Sequence, residues 1–309
     1  MAFSPTEAAF EGFRLTREKP LIVVWWTVVY LAVNLVVMAL ATSLLGSSMT
    51  DILAMSANPM AADPAAFEVI GPKLLLFEAA ALPLLLVMSA VLAAAAYRAV
   101  FQPAESSRFG YLQLGPDELR LALLYVMLTF VIIGAMMLVS IVVGVLLSII
   151  AAVAGGGAGG AVAGGLAMAA AVTAMLGALA YFGVRLSLAG PATFVEKKLI
   201  LRPAWAMTRG HFWPLLGAYF LSWVLAIVVT LLGKAVFTGI GAALGGSMGA
   251  YAAAGMPDFS SMASVFGPAH LGFLATTALL GALQAAITLA PAAVAFRALG
   301  GRARASIVA

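Results

Sequence analysis

Five arginines that lie beside apolar segments of the chain are candidates for phosphate binding. They are Arg17, Arg98, Arg185, Arg209 and Arg297. A guanidinium is a planar fork of donors that can hold a phosphate group through two parallel hydrogen bonds. Glu196 lies between Arg185 and Arg209 in the sequence and could hold either guanidinium in place. This pattern predicts contacts with anionic lipid headgroups, and the alternative for any single arginine is simple extension toward the membrane surface.

Three polar side chains that interrupt apolar segments form a second group of candidates, namely Asn34, Glu78 and Gln284. A charge at the centre of a membrane-spanning helix costs about 2.5–3.5 kcal/mol, so such groups usually have partners. We expect Asn34 and Gln284 to form hydrogen bonds between helices, with substrate contact as the alternative. Glu78 either pairs with Lys234, which is placed near the same side of the membrane, or extends toward headgroups.

Catalytic chemistry has little support in the sequence. The chain contains no cysteine. Its two histidines, His211 and His270, are predicted to lie at opposite faces of the membrane. No carboxylate pair lies near a histidine, and no nucleophile motif of the Gly-x-Ser-x-Gly type occurs. We therefore predict a protein that is not an enzyme and that binds no metal or other cofactor.

The composition shows what must position these residues. Hydrophobic residues make up 64% of the 309-residue chain and charged residues only 9%, whereas about a quarter of a soluble domain is charged. The net charge of +4 would favour nucleic acid binding in a soluble protein. Here the basic residues cluster beside apolar segments, which favours a membrane surface and argues against nucleic acid.

Apolar segments of membrane-spanning length occur six times, since about 20 helical residues cross a hydrocarbon core of about 30 Å. The predicted spans are 21–45, 73–101, 119–150, 166–190, 213–244 and 270–297. The sequence thus predicts an all-α polytopic membrane protein with one transmembrane domain, residues 1–309. The third and fifth spans are longer than needed, so we expect tilt or protrusion.

The distribution of charge predicts the orientation of these spans. Of the 16 basic residues, 14 fall on the side of the N-terminus, and only Lys73 and Lys234 fall on the other side. Four of the five tryptophans also fall at the N-terminal side. Positive residues favour the cytoplasmic side of a membrane. We therefore predict that both termini are cytoplasmic in a bacterial inner (plasma) membrane.

Amphipathic stretches precede three of the spans and could lie in the membrane interface. Residues 1–19 predict an interfacial helix, because Ser4, Pro5 and Glu7 form a helix-start signature. Residues 109–116 and 205–214 are the second and third candidates. Gly110, Gly115 and Pro116 leave the second one little room for a helix.

These three stretches also predict a possible internal triplication. Phe13, Phe109 and Trp205 open the segments FRLTREKP, FGYLQLGP and WAMTRGHFWP at intervals of 96 residues. The repeats would be residues 1–103, 104–190 and 191–309, each an interfacial helix followed by two spans that share one orientation. The alternative is that any six-span protein carries aromatic residues and arginines at its inner interface.

Two pieces of sequence carry a family resemblance, GYLQLGPDELRLALL and RLSLAGPATFVEKKLILRPAWAMTRGHFWPLL. They resemble bacterial six-span membrane proteins, namely the membrane domain found with glycerophosphodiester phosphodiesterases and the related YciC-like inner-membrane proteins. The phosphodiesterase barrel of that family has no counterpart here, so the resemblance does not imply its activity.

The favoured function is therefore that of a non-enzymatic inner-membrane protein, a scaffold or regulator that binds membrane lipids, including anionic phospholipid. The alternative is a small transporter or lipid flippase in which Asn34 and Gln284 line a path. An enzyme acting on lipid comes third. A wide cavity would favour the transporter, and a tightly packed bundle would favour the scaffold. The sequence predicts neither the ligand nor the oligomeric state.

Overall fold

The computed structural model describes residues 3–57, 64–102, 108–154, 158–243, 246–247 and 249–301 of the chain. Within these ranges the protein is helical and contains no β-strand. The α-helices are α1 (Pro5–Glu18), α2 (Pro20–Leu44), α3 (Ser48–Ala57), α4 (Pro64–Phe101), α5 (Pro116–Ala154), α6 (Ala158–Leu186), α7 (Ala189–Glu196), α8 (Arg202–Met207), α9 (Phe212–Ala243), α10 (Ala250–Ala254), α11 (Met262–Val265) and α12 (Pro268–Phe296).

Six helices in this described part, α2, α4, α5, α6, α9 and α12, are long and apolar enough to cross a membrane. The prediction of an all-α polytopic membrane protein is confirmed. Helices α4 and α5 have 38 and 39 residues, which is about 57–58 Å at 1.5 Å per residue. Both exceed the hydrocarbon core of about 30 Å, so they must tilt or protrude. The fourth predicted span, 166–190, lies within the apolar segment Val162–Glu196, in which α6 ends at Leu186 and α7 follows.

Consecutive spans pack as pairs, α2 with α4, α5 with α6, and α9 with α12. Helix α12 also contacts α1, α2 and α4, and is therefore the central helix of the bundle. Helix α4 also packs against α5 across the proposed repeat boundary, so the triplication stays a prediction.

One end of the bundle, which we call the terminal face, is where α2 begins and α12 ends. Residues from distant parts of the chain meet there, for example Phe101 and Phe296, whose ring centroids lie 6.1 Å apart. The largest buried cluster lies at this end and includes Tyr97, Leu188, Phe194, Leu215 and Phe296. The core of the protein is therefore displaced toward the terminal face.

Helix α1 begins as the sequence predicts, because the Ser4 Oγ accepts a hydrogen bond from the Glu7 backbone N–H (3.4 Å). The helix is also held by the protein, since it packs against α9 and α12. A Cβ atom added at Gly12 would lie 2.5 Å from the Ala286 carbonyl oxygen, so only glycine allows this approach. Phe10 is 51% exposed on another side of α1 and is free to contact lipid.

The predicted interfacial helix at 109–116 is not formed. The structure has a single 3₁₀ turn, Arg108–Tyr111, in which Phe109 and Gly110 adopt left-handed backbone angles (φ 54° and 64°). The turn packs directly on α2, where the Trp26 Nε1 donates to the Gly110 carbonyl oxygen (3.0 Å). Tertiary contacts with α2 therefore replace the expected membrane-surface helix in the second proposed repeat.

The opposite end of the bundle, the loop face, carries α3, α10 and α11. Lys73 Nζ donates to Ser48 Oγ (3.0 Å) and ties α4 to α3. His270 is buried there, with its Nδ1 2.7 Å from the Ala254 carbonyl oxygen. His211 is exposed at the terminal face, so the two histidines lie at opposite ends, as predicted.

Candidate functional site

The stretch between α6 and α9 forms a plug in the terminal face rather than a surface loop. All residues of α7 except Glu196 are buried: Ala189, Gly190, Pro191, Ala192, Thr193, Phe194 and Val195. The chain reverses at Lys197, which adopts a left-handed conformation (φ 55°), and the Thr193 Oγ1 accepts from the Ile200 N–H (3.1 Å). Lys197 Nζ also contacts Asp117 Oδ2 of α5 (2.5 Å). These contacts fix the plug and the residues that follow it.

Arg185 lies beside this plug, at the end of α6, and its guanidinium is held from several sides. Its Cζ lies 5.5 Å from the ring centroids of both Tyr181 and Trp205. Such cation–π contacts contribute about 0.5–2 kcal/mol. We call Tyr181, Arg185, Trp205 and Thr208 the Arg185 cradle.

Thr208 orients the guanidinium within the cradle. Its hydroxyl donates to the Trp205 carbonyl oxygen (2.9 Å), and its oxygen then accepts from Arg185 Nη1 (3.3 Å). The Arg185 Nε is buried and has no acceptor among the described residues. Arg185 is therefore a half-buried cation whose Nη1 is bonded to Thr208 and whose Nε has no acceptor among the described residues.

The surroundings of the cradle are those of a membrane interface. Trp213 is 76% exposed, and the Phe212 ring lies 5.8 Å from the Tyr181 ring. Arg209 is exposed directly after Thr208. Tryptophan and tyrosine side chains settle at the headgroup level of membranes, which is the level that the sequence predicts for this stretch.

Arg98 is not available to a lipid headgroup, because it is buried and bonded to other residues of the protein. It forms an ion pair with Glu118, and its Nη1 donates to the Tyr111 carbonyl oxygen (3.1 Å). Both side chains of the pair are about 95% buried. The prediction that Arg98 grips a headgroup is therefore replaced by a structural role, in which it joins α4, α5 and the 3₁₀ turn.

The other residues predicted to contact headgroups at the terminal face are more exposed than Arg98. Arg17 is exposed in the last turn of α1, and Arg297 is half-buried in a π-helical turn after α12. Glu196 is half-buried at the end of α7.

The polar residues inside the spans have three different environments. Gln284 donates through Nε2 to the Thr230 Oγ1 (2.6 Å), which is the expected hydrogen bond between helices. Asn34 is half-buried on α2. Glu78 and Lys234 are both exposed, and among the described residues no ion pair joins them. Of the two expectations for Glu78, extension toward headgroups is the one that fits.

The sequence did not reveal two features of the site, the plug α7 and the role of Thr208. The apolar run that continues after Arg185 was the available signal for the plug. Among the described residues, no group of three or more histidines and carboxylates could hold a metal ion.

The comparisons with known proteins add no relative. No protein-family model matches the chain, and neither a curated protein nor a solved structure matches it. The resemblance to the six-span bacterial family therefore stays a prediction, and the function has to be inferred from the geometry of the described residues.

Proposed function

We propose that the protein is a scaffold or regulator of the bacterial inner membrane that binds anionic phospholipid at the Arg185 cradle. The observation that supports this most is the buried Arg185 Nε without an acceptor. A buried donor left unpaired costs about 1–3 kcal/mol. A phosphate oxygen from the headgroup layer would have to displace the atoms that cover the Nε, and it would then accept this hydrogen bond and remove the cost.

The shape of the cradle fits a phosphodiester. The two non-bridging oxygens of a phosphate match the paired donors on one edge of a guanidinium. Tyr181 and Trp205 hold the plane of the Arg185 group, and Thr208 occupies Nη1. Because the guanidinium is already ordered, binding costs little side-chain entropy.

The proposed orientation follows from charge. The terminal face carries Arg185, Arg209, Lys197 and most other basic residues of the chain. Positive residues favour the cytoplasmic side, and anionic lipids of the cytoplasmic leaflet attract them. The cradle would then face the inner leaflet of the membrane, with both termini in the cytoplasm.

A transporter or flippase is the second candidate, because a cavity of about 400 Å³ opens between α2, α4, α5 and α12. The packed core at the terminal face argues against a continuous path. Leu188, Phe194 and Phe296 are almost fully buried there, and transport would require them to separate. We therefore favour binding without transport.

Lipid retention tests the proposal directly. Arg185→Gln combined with Arg209→Gln removes two charges at the cradle, and Arg14→Gln combined with Arg202→Gln removes two exposed charges elsewhere. Native mass spectrometry of protein released from phosphatidylglycerol-containing nanodiscs counts the lipids that remain bound. We expect about tenfold weaker retention in the cradle variant, which corresponds to about 1.4 kcal/mol, and little change in the control.

Equal losses in both double variants would show that diffuse charge, rather than the cradle, attracts the lipid. Arg185→Lys keeps the charge but removes the fork of donors, so it should lose most of the specific retention. Thermal unfolding of each variant in detergent checks that the bundle remains folded.

A further inference from the structure

A second cavity surface, distinct from the Arg185 cradle, carries hydroxyl groups at the level of the hydrocarbon core. The cleft between α2, α4, α5 and α12 has a volume of about 400 Å³, within the range of about 300–1,000 Å³ that is usual for ligand pockets. Its lining residues that carry hydroxyl groups include Tyr30, Ser89, Thr129 and Thr288, whereas the Tyr125 hydroxyl is hydrogen-bonded to Tyr97. The rest of its wall is apolar.

The depth of the cleft follows from positions along the helices. Ser89 precedes the end of α4 at Phe101 by 12 residues, and Thr288 precedes the end of α12 at Phe296 by eight. At 1.5 Å per residue these are about 18 and 12 Å from the terminal face. Both positions fall inside a hydrocarbon core of about 30 Å.

The hydrogen-bonding capacity of these hydroxyl groups is only partly used. Ser89 donates to the Leu85 carbonyl oxygen, and Thr129 and Thr288 donate to the carbonyl oxygens four residues before them, all at 2.8 Å. Each oxygen keeps a lone pair that can accept a hydrogen bond. Ser89 and Thr288 are exposed to the cleft, so their oxygens offer acceptors to whatever occupies it.

Single serines and threonines of membrane helices commonly satisfy themselves in this way and have no further role. Thr173 of α6 is an example, since it donates to the Ala169 carbonyl oxygen (2.9 Å) on an exposed helix surface. The cleft differs because hydroxyl groups from four helices converge on one cavity. None of the described residues that line it is charged, so an ionic ligand would find no counter-charge among them.

We propose that this cleft binds a neutral lipid alcohol, such as a diacylglycerol, by its hydroxyl group. The ligand's hydroxyl would donate to Ser89 or Thr288, and the phenol of Tyr30 can donate to an ester carbonyl of the ligand. Its chains would lie on the apolar wall formed by residues such as Leu86 and Ile132. A neutral lipid reaches this depth without carrying a charge into hydrocarbon. The proposal does not depend on lipid binding at the Arg185 cradle.

Photolabelling tests the site with the intact protein in nanodiscs. The probe is a diacylglycerol with a diazirine in one acyl chain, and the labelled peptides are identified by mass spectrometry. We expect labelling of α4, α5 and α12 beside the cleft, and competition by unlabelled diacylglycerol but not by phosphatidylglycerol. Labelling spread evenly over the lipid-facing surface, or competition by both lipids alike, would overturn the proposal.

Matched variants test whether labelling of the cleft depends on its hydroxyl groups or on apolar contact alone. Ser89→Ala with Thr288→Val removes both acceptors with little change of volume, and should reduce cleft labelling at least fivefold. Ser148→Ala with Thr173→Val removes two exposed hydroxyl groups of α5 and α6 and should leave it unchanged. Ser89→Leu fills the cleft and should abolish the labelling. Unchanged labelling in the first variant would contradict the assignment, and thermal unfolding shows whether each variant is folded.

Discussion

The central helix α12 and the peripheral helix α5 show opposite relations between hydropathy and burial. The most apolar window of α5 has a mean hydropathy of 2.9 and is 0% buried, whereas that of α12 has 1.8 and is 61% buried. In a membrane, lipid is as apolar as leucine, so hydropathy does not drive one helix against another. The less apolar helix is the one that the protein packs around.

Residue size explains the difference. The buried face of α12 is built largely from alanine, including Ala278, Ala282, Ala286, Ala290 and Ala293. Small residues let helix backbones approach closely. The loop-side half of α5 instead carries large side chains that are exposed, such as Leu138, Ile141 and Val145. Helices α5 and α6 form a hairpin that offers these side chains to lipid.

The polar contacts follow the same division. The ion pair Arg98–Glu118, the bond from Trp26 to Gly110 and the Arg185 cradle all lie in the terminal half. Changes in this half should therefore destabilise the protein, and matched changes on the hairpin or at the surface should not.

The largest effect is expected at the buried ion pair. Arg98→Ala leaves the Glu118 charge buried and unpaired, so the free energy of unfolding should fall by about 3–5 kcal/mol. Arg98→Met combined with Glu118→Leu removes both charges and should recover most of the loss. Arg14→Ala breaks a part-buried pair in which Arg14 is 54% exposed and Glu11 is 11% exposed, and it should cost less than Arg98→Ala because Arg14 lies largely in solvent. Unfolding in mixed micelles measures the free energy of unfolding of all three variants. Equal losses of this free energy for Arg98→Ala and Arg14→Ala would contradict the account.

Two glycines test packing in the two regions with the same substitution. Gly12→Ala places a Cβ 2.5 Å from the Ala286 carbonyl oxygen, and such overpacking costs about 1–3 kcal/mol. Gly177 of α6 has no atom within 4 Å of its added Cβ. Gly177→Ala should be neutral or stabilise the helix by up to about 1 kcal/mol. A stability loss at Gly177 as large as that at Gly12 would mean that the hairpin is also packed against protein.

A smaller effect is expected at Trp26, which is fully buried and hydrogen-bonded to Gly110. Trp26→Phe leaves that carbonyl oxygen without its donor and should cost about 1–2 kcal/mol. Trp223 is 59% exposed on α9, so Trp223→Phe serves as the control and should change the stability little. The midpoints of thermal unfolding would report the difference, and matching midpoints for the two variants would contradict the account.

The smallest effect concerns the exposed Asp258, in the loop between α10 and α11. Hydrogen bonds from the Ser260 hydroxyl (2.6 Å) and backbone N–H (2.9 Å) lower the pKa of the Asp258 carboxyl. A lowered pKa contributes stability at pH values above the unfolded pKa of about 3.9, and this is lost as pH falls through the folded pKa. Ser260→Ala should raise the Asp258 pKa in a carbon-13 NMR titration. Ser264→Ala removes a bond to the Asp258 backbone only and should leave this pKa unchanged.

The sequence predicted the spans well, because apolar length alone identifies a membrane helix. It also predicted the start of α1 from Ser4 and Glu7, since a helix cap is a local signal. Burial of Arg98 could not be predicted, because its partners Glu118 and Tyr111 are brought close only by tertiary structure. The turn at Phe109 similarly depends on its contact with α2.

The Arg185 cradle was predicted in part. Its basic and aromatic residues stand close together in the sequence, so the stretch could be chosen as a candidate. The hydrogen bond from Arg185 Nη1 to Thr208, and the lack of an acceptor for Nε among the described residues, depend on how α6 meets α8. The cleft hydroxyl groups give no functional signal in the sequence, since each residue alone carries the pattern of a self-satisfied side chain.

Site-directed spin labelling tests the division between a packed terminal half and a lipid-facing hairpin most directly. The chain has no cysteine, so Leu138→Cys and Leu215→Cys each accept a single label in proteoliposomes. Leu138 is 64% exposed on α5, and Leu215 is fully buried at the terminal face. We expect a mobile label with high oxygen accessibility at position 138 and an immobilised, oxygen-inaccessible label at position 215. An immobilised, inaccessible label at position 138 would contradict the account.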